Sequence, residues 1–168
     1  MIKLYKFLGF ILIPLIKINL FFRLIKKKEV KDRIKERFGI SSTKRPEKDL
    51  VWIHAASVGE FKSSGLLIDL LYKDYTVLVT TTTLSSANFA KKNYSQKIIH
   101  QFAPLDISHW VERFLDKWNP KLILWIESDL WPITMQTINQ RSIPALLLNV
   151  RMSPQSFNKW QNLKFFYK

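Results

Sequence analysis

The chain has 168 residues, no cysteine and a formal net charge of +14, and 47% of its residues are hydrophobic. This length suits one domain with a substantial core, and the composition is too apolar for a disordered chain. The lack of cysteine excludes disulfides and thiolate metal sites, and the spacing of His54, His100 and His109 matches no metal-binding pattern, so we expect no metal.

The positive charge is concentrated at the N-terminal end. Residues 1–50 hold 14 Lys and Arg against 5 Asp and Glu, whereas residues 51–168 hold 13 against 8. Such asymmetry indicates an anionic partner, either nucleic acid or a membrane surface.

The first 25 residues are apolar enough to favour the membrane. Residues 7–16 contain no charge, but a secure transmembrane helix needs about 20 predominantly apolar residues, and Lys17 and Arg23 interrupt this run. An interfacial helix or a marginal span fits best. A basic cluster follows directly and is typical of a cytoplasmic juxtamembrane segment: Lys26, Lys27, Lys28, Lys31, Arg33, Lys35 and Arg37. We therefore predict that residues 1–39 form a membrane anchor and a basic juxtamembrane helix.

Three other interpretations of this segment stay open. A signal peptide also begins with a charged and an apolar stretch, although no small-residue cleavage site precedes the basic cluster. A buried core helix is possible. RNA binding lacks the support of an RNP-like motif.

Residues 40–49 are polar, contain a proline and read as a linker, and strand-like and helix-like stretches alternate after them. The predicted strands are 50–55, 75–81, 97–102, 122–126 and 143–149. The predicted helices are 61–71, 85–92, one capped by Asp106 or Ser108 and ending at 118, 130–141, and one beginning near 153. This order predicts an α/β fold with a largely parallel sheet and helices on both faces. The last helix has no stop signal before the final residue, so we expect the domain 50–168 to be cut short at its C-terminus.

The segment between the first strand and its helix is the most informative one. Small residues occupy positions 55, 56, 57 and 59, and Glu60 follows them in the first turn of the predicted helix. Because ligands of open α/β sheets bind beyond the carboxyl ends of the strands, Glu60 is a candidate general base. Alternatively, its charge only stabilises the helix N-terminus.

Polar residues also follow the other strands, and parallel strands bring their exits to one edge. These residues are Thr80–Thr83, Ser85, Glu127, Asp129, Asn149, Arg151 and Ser153. Structural alternatives exist for several: a helix cap for Asp129, a surface ion pair for Arg151, packing for Trp125 and Trp131, and a satisfied core position for His54. No glycine-rich dinucleotide motif, P-loop or G-x-S-x-G elbow occurs.

Six segments together resemble the N-terminal half of 3-deoxy-D-manno-octulosonic acid (Kdo) transferases. They are W-I-H-A-A-S-V-G-E (52–60), P-x-D (104–106), R-F-L (113–115), P-K-L-I-L (120–124), I-E-S-D-L-W-P (126–132) and N-V-R-M-S (149–153). The resemblance implies a GT-B glycosyltransferase with two Rossmann-like domains. Such an enzyme transfers Kdo from CMP-Kdo to the lipid A precursor, at the cytoplasmic face of the cell inner membrane, during lipopolysaccharide biosynthesis.

The resemblance also implies roles for individual residues. Glu60 matches the catalytic base, and no cofactor is expected besides the donor substrate CMP-Kdo. The expected substrate-binding residues are Ser57, Gly59, Glu127, Asn149, Arg151 and Ser153.

Two departures from the family pattern matter. Ser128, Asp129 and Ile133 stand where the family usually has other residues, and Asp129 is one methylene shorter than glutamate. The C-terminal donor domain has no counterpart in these residues. We therefore expect the chain to be inactive alone and to need a separately encoded donor domain. The alternatives are a non-catalytic membrane-surface module that binds an anionic lipid and, less favoured, a nucleic-acid-binding α/β domain.

Overall fold

A computed structural model describes residues 2–126 and 130–149 of the chain. Within them five parallel strands form one sheet in the order β3-β2-β1-β4-β5. The strands are β1 (Leu50–His54), β2 (Thr76–Thr81), β3 (Ile99–Phe102), β4 (Leu122–Ile126) and β5 (Ala145–Leu148). The order reverses between β1 and β4, which pair directly, and a ligand crevice is expected at such a switch point.

Alternate residues of each strand face opposite sides of the sheet, and each side is covered by helices. On one side, Trp52 and Trp125 pack with α6 (Ser108–Trp118) and α7 (Pro132–Gln140). On the other side, Ile53 and Val79 pack with α3 (Val58–Ser63), α4 (Gly65–Leu71) and α5 (Leu84–Tyr94). The predicted Rossmann-like α/β sheet with helices on both faces is confirmed.

The predicted helix 61–71 is two helices. Helix α3 begins three residues earlier because the Ser57 hydroxyl accepts a hydrogen bond from the Glu60 amide and caps it. Ser64 separates α3 from α4, and its buried hydroxyl donates to the Phe61 carbonyl oxygen. The start of α3 at Val58 places Glu60 in the first helical turn, as predicted.

The apolar N-terminus forms two helices rather than one, α1 (Ile2–Ile11) and α2 (Ile13–Ile25), which are bent by 57° relative to each other. Among the described residues no single helix has the length and hydropathy to cross a membrane, whereas this bent pair together does by length and composition. The pair lies across the carboxyl edge of the sheet. There α1 approaches so closely that a Cβ at Gly9 would lie 3.0 Å from the Ile107 Cδ1 atom.

The basic segment after α2 forms a 3-10 helix, Lys31–Phe38, which packs along the edge strand β3. Glu36 accepts a hydrogen bond from the Phe102 amide at 2.6 Å, and Arg33 and Arg37 lie over the Phe102 ring. Covering an edge strand in this way removes an open hydrogen-bonding edge. Residues 40–49 form no helix or strand.

Candidate functional site

Glu60 lies at the carboxyl end of β1, at the switch point of the sheet, and its side chain is only 9% exposed. Its Oε2 atom accepts a hydrogen bond of 2.6 Å from the Ala56 amide. Together with the bond from the Glu60 amide to Ser57, this forms a reciprocal cap in which both residues satisfy amides at the start of α3. The carboxylate is therefore held in one position, with Oε2 engaged.

Ser57 and Gly59 flank this carboxylate, and the fold accounts for the first residue but not for the second. Ser57 is half-buried and its hydroxyl is used as the cap of α3. A Cβ at Gly59 would meet only the Ser57 hydroxyl, at an ordinary 3.7 Å, so the polypeptide itself does not require glycine here. A close approach of another molecule would explain the glycine.

The remaining predicted site residues are only partly placed. Asn149 follows β5, is exposed and has a left-handed backbone with φ of 53°. Glu127, Asp129, Arg151 and Ser153 lie outside the described residues.

The threonines at the end of β2 and directly after it belong largely to the scaffold. Thr80 and Thr81 are buried, and Thr83 caps α5 by accepting from the Ser86 amide. Thr82 instead donates its hydroxyl hydrogen to the Ala56 carbonyl oxygen at 2.9 Å. Since Ala56 also bonds Glu60, Thr82 joins the exit of β2 to the candidate base.

His54 is a buried core residue, as one interpretation predicted, but only one of its nitrogens is satisfied. Its Nδ1 atom lies 2.9 Å from the Thr80 hydroxyl, while Nε2 has no hydrogen-bond partner among the described residues. The ring packs against Trp125 and Trp131, which confirms the packing interpretation of those tryptophans. Burial lowers the pKa of His54 to about 3, so the ring is neutral at neutral pH.

Asp106 or Ser108 was expected to cap α6, and this prediction is wrong for both residues. The residue before α6 is Ile107, which provides no side-chain cap. Asp106 instead accepts hydrogen bonds from the amides of Ile133 and Thr134 and from the Thr134 hydroxyl, at the start of α7. It also faces α1, where burial and then the charge of Asp106 raise the pKa of Tyr5. Sequence spacing could not reveal a cap supplied 27 residues upstream.

A buried charged cluster connects the N-terminal helices to the sheet. The sequence predictions did not include this cluster. Glu29 accepts hydrogen bonds from Arg23 of α2 and from Arg37. Arg37, 4% exposed, also donates to the carbonyl oxygens of Thr82 and Ala103. One member of the predicted basic juxtamembrane cluster, Arg37, is thus a buried residue. Among the described residues, no group of three or more His, Asp or Glu could hold a metal ion.

Comparisons with known proteins agree on one family. The family described as 3-deoxy-D-manno-octulosonic-acid transferase (kdotransferase) matches residues 32–168. A 3-deoxy-D-manno-octulosonic acid transferase of Rickettsia bellii is 39% identical over the whole chain, and a probable mitochondrial one of Arabidopsis thaliana is 37% identical over 95% of it. A homologue in Haemophilus influenzae is 30% identical over 83% of the chain. The chain spans 41%, 36% and 34% of the length of these three proteins.

Proposed function

The chain belongs to the Kdo transferase family and matches the N-terminal part of longer members, and we propose that it forms the acceptor half of a Kdo transfer reaction. In this proposal the acceptor is the phosphorylated, acylated lipid A precursor, and the donor is CMP-Kdo. A second domain contacts the donor. This domain corresponds to the part of the relatives that has no match in this chain. The reaction takes place at the cytoplasmic face of the inner membrane.

The observation that supports this proposal most is the placement of Glu60. Its carboxylate is fixed at the switch point of the sheet by the Ala56 amide, and Gly59 beside it leaves room for another molecule. A general base must hold its oxygen within hydrogen-bond reach of the proton that it removes. A carboxylate that is already fixed through Oε2 can offer Oε1 to an acceptor hydroxyl without being reoriented.

The proposed step is a displacement at the anomeric carbon of Kdo. Glu60 takes the proton of the acceptor hydroxyl as that oxygen forms a bond to the anomeric carbon. The bond from this carbon to the phosphate oxygen breaks, and CMP leaves with the electron pair. Glu127, Arg151 and Ser153 are proposed to hold the substrates, since a guanidinium suits an acceptor that bears phosphates.

The test is a chimera that joins residues 1–168 of this chain to the remaining part of the Rickettsia bellii relative. The assay measures transfer of labelled Kdo from CMP-Kdo to an acylated, phosphorylated disaccharide. We expect Glu60→Gln to lower kcat by about 10²–10⁴-fold with little change in acceptor KM. The Gln side chain keeps an oxygen for the Ala56 amide, so the cap is retained.

Glu112→Gln is the matched control, because this exposed carboxylate on α6 lies in the same domain and should leave kcat unchanged. Equal turnover in the Glu60→Gln and Glu112→Gln chimeras would remove Glu60 from the reaction. A folded chimera without any transfer would count against the transferase proposal itself.

One observation favours a second candidate function. The Glu60 carboxylate already has a structural task as a cap, and the exposed apolar helices and basic N-terminus suit an anionic lipid surface. A non-catalytic lipid-binding module would bind the acylated disaccharide equally well with Glu60→Gln, and no chimera would transfer Kdo.

A further inference from the structure

A groove of about 670 Å³ lies between the N-terminal helix pair and the carboxyl edge of the sheet. This size is within the range of about 300–1,000 Å³ that is usual for small-molecule sites. Seven of its fifteen described lining residues carry large apolar side chains: Leu8, Leu12, Ile16, Leu20, Leu105, Ile107 and Trp131.

The helix pair presents two apolar faces, and only one of them lines the groove. Leu8, Leu12, Ile16 and Leu20 recur every four residues and line the groove, and Leu20 is buried. Apolar side chains on the outward face are more than half exposed: Phe7, Phe10, Ile11, Leu15, Ile18, Phe21, Phe22 and Ile25. A helix that is apolar all round is typical of a membrane environment or of a buried core. If the exposed outward face binds a bilayer, only α1 and α2 separate the groove from the lipid.

One end of the groove is charged. Arg23, Glu29 and Arg37 all line it, and Glu29 is shared between the two guanidinium groups, which leaves one net positive charge in this cluster. Asp106 is a further charged lining residue, and its oxygens are occupied by the amides and the hydroxyl at the start of α7. Arg23 keeps 40% of its side chain exposed, and Lys26, Lys27 and Lys28 follow nearby in the chain. An occupant with an apolar tail and an anionic head would complement both parts.

The other side of the groove reaches the candidate base. Thr82 lines the groove and donates to the Ala56 carbonyl oxygen, while the Ala56 amide donates to Glu60. Ala56 therefore connects the groove to the Glu60 carboxylate, through one hydrogen bond to Thr82 and one to Glu60.

We propose that this groove binds one acyl chain of an anionic membrane lipid, with the lipid head group at the Arg23 end. The inference deepens the proposed function, on which it rests for the identity of the lipid: the occupant is an acyl chain of the phosphorylated acceptor. Removing the methylenes of this acyl chain from water favours binding, and a chain held in the groove fixes the acceptor relative to Glu60. The N-terminal helices are thus one wall of the substrate site as well as an attachment to the membrane.

Trp131 lines the groove, and its fluorescence can report whether an acyl chain enters the groove. The full protein is bound to vesicles of phosphatidylcholine and phosphatidylglycerol whose acyl chains are brominated at mid-chain, because bromine quenches tryptophan only at short range. We expect quenching of Trp131, identified as the part of the signal that Trp131→Phe removes. Phenylalanine at positions 12 and 16 should fill the groove, so L12F/I16F should lose most of this quenching while still sedimenting with the vesicles.

The matched control is L15F/I18F, which adds the same two aromatic rings to the exposed face of α2 and should be quenched like the unmodified protein. Equal quenching in both double variants, or no quenching of Trp131, would overturn the groove as an acyl-chain site. Glu60→Gln should leave the quenching unchanged. Quenching without Kdo transfer in the chimera would leave the lipid groove standing and overturn the transferase proposal.

Discussion

Gly39 and Gly59 lack a side chain for different physical reasons. Gly39 ends the 3-10 helix with φ of 71°, and a Cβ there would overlap the Trp110 carbonyl oxygen. Gly59 has ordinary room for a Cβ and lies in the first turn of α3, where glycine is entropically unfavourable. The fold therefore explains the first glycine and not the second.

This contrast gives a paired prediction. Gly39→Ala should lower the free energy of unfolding by roughly 2–5 kcal/mol, because it adds both backbone strain and an overlap with main-chain atoms. Gly59→Ala should leave stability unchanged or raise it by about 0.5 kcal/mol. Urea denaturation of the two variants measures this. A Gly59→Ala protein that is stable yet fails to bind the acylated disaccharide would assign the glycine to the ligand, whereas strong destabilisation would assign it to the fold.

Two histidines whose pKa values are lowered in the folded protein should make stability depend on pH. Burial lowers the pKa of His54 and of His100 to about 3, and the positive charges of Arg33 and Arg37 assist at His100. Below pH 6.5 the unfolded chain binds protons that the folded chain does not, so stability is complete above pH 6.5 and falls as the pH decreases towards 3. Each histidine should contribute a slope of up to about 1.4 kcal/mol per pH unit in this window.

The measurement is urea denaturation at several pH values between 6.5 and 5. His54→Phe keeps a ring beside Trp125 and cannot titrate, so the slope should decrease by the contribution of one histidine. His109→Phe replaces an exposed histidine and should change the slope much less. Identical slopes in both variants would contradict a neutral, buried His54.

At the scale of the element, the strands were predictable and the helix termini were not. The apolar run 122–126 could be recognised because a central parallel strand is buried on both faces, and β4 has those limits. The helix after β1 was placed three residues late because its cap, Ser57, follows directly on small residues that read as a loop. Asp106 caps α7 rather than α6 because the cap depends on tertiary proximity, which local spacing does not encode.

The same limit applies to the N-terminal segment. Its apolar and basic composition was evident, but composition alone could not show that α1 and α2 pack on the sheet edge. Nor could it show that Arg37 is a buried residue among surface-exposed basic neighbours. The docking depends on contacts between residues far apart in sequence, such as Arg37 with Thr82 and Ala103.

Glu29 connects the N-terminal helices to the domain, and its charge should be essential for this docking. Glu29→Gln leaves the buried Arg37 without its anionic partner, and removing one partner of a buried ion pair costs about 3–5 kcal/mol. We expect the helix pair to open, so that trypsin cleaves after Lys26, Lys27 or Lys28 much faster than in the unmodified protein. Asp69→Asn is the control, since it disrupts only the exposed pair with Lys97 and should not change cleavage. Unaltered cleavage in Glu29→Gln would show that the cluster does not hold the helices.

At the scale of the whole molecule, the apolar helices and the basic residues meet at one end, next to the carboxyl edge of the sheet. Attachment of this end to a bilayer would bring the switch point and Glu60 close to the lipid surface. An enzyme whose acceptor is embedded in that surface gains effective concentration from such an arrangement. Apolar insertion and electrostatic attraction should contribute separately, because only the second is screened by salt.

Serine substitutions on the exposed helix face separate these two contributions. Replacing Phe10, Leu15, Phe21 and Ile25 by serine removes four exposed side chains and leaves the groove-facing residues intact. Each buried side chain contributes about 1.5–3 kcal/mol, so the variant should lose roughly 6 kcal/mol or more of membrane affinity. It should sediment with vesicles containing phosphatidylglycerol at low salt, through its lysines and arginines at about 1 kcal/mol each, and stay in solution at moderate salt. Deleting residues 2–25 should have the same effect on sedimentation. The unmodified protein should sediment under both conditions, and a variant that still does so at moderate salt would refute attachment through this face.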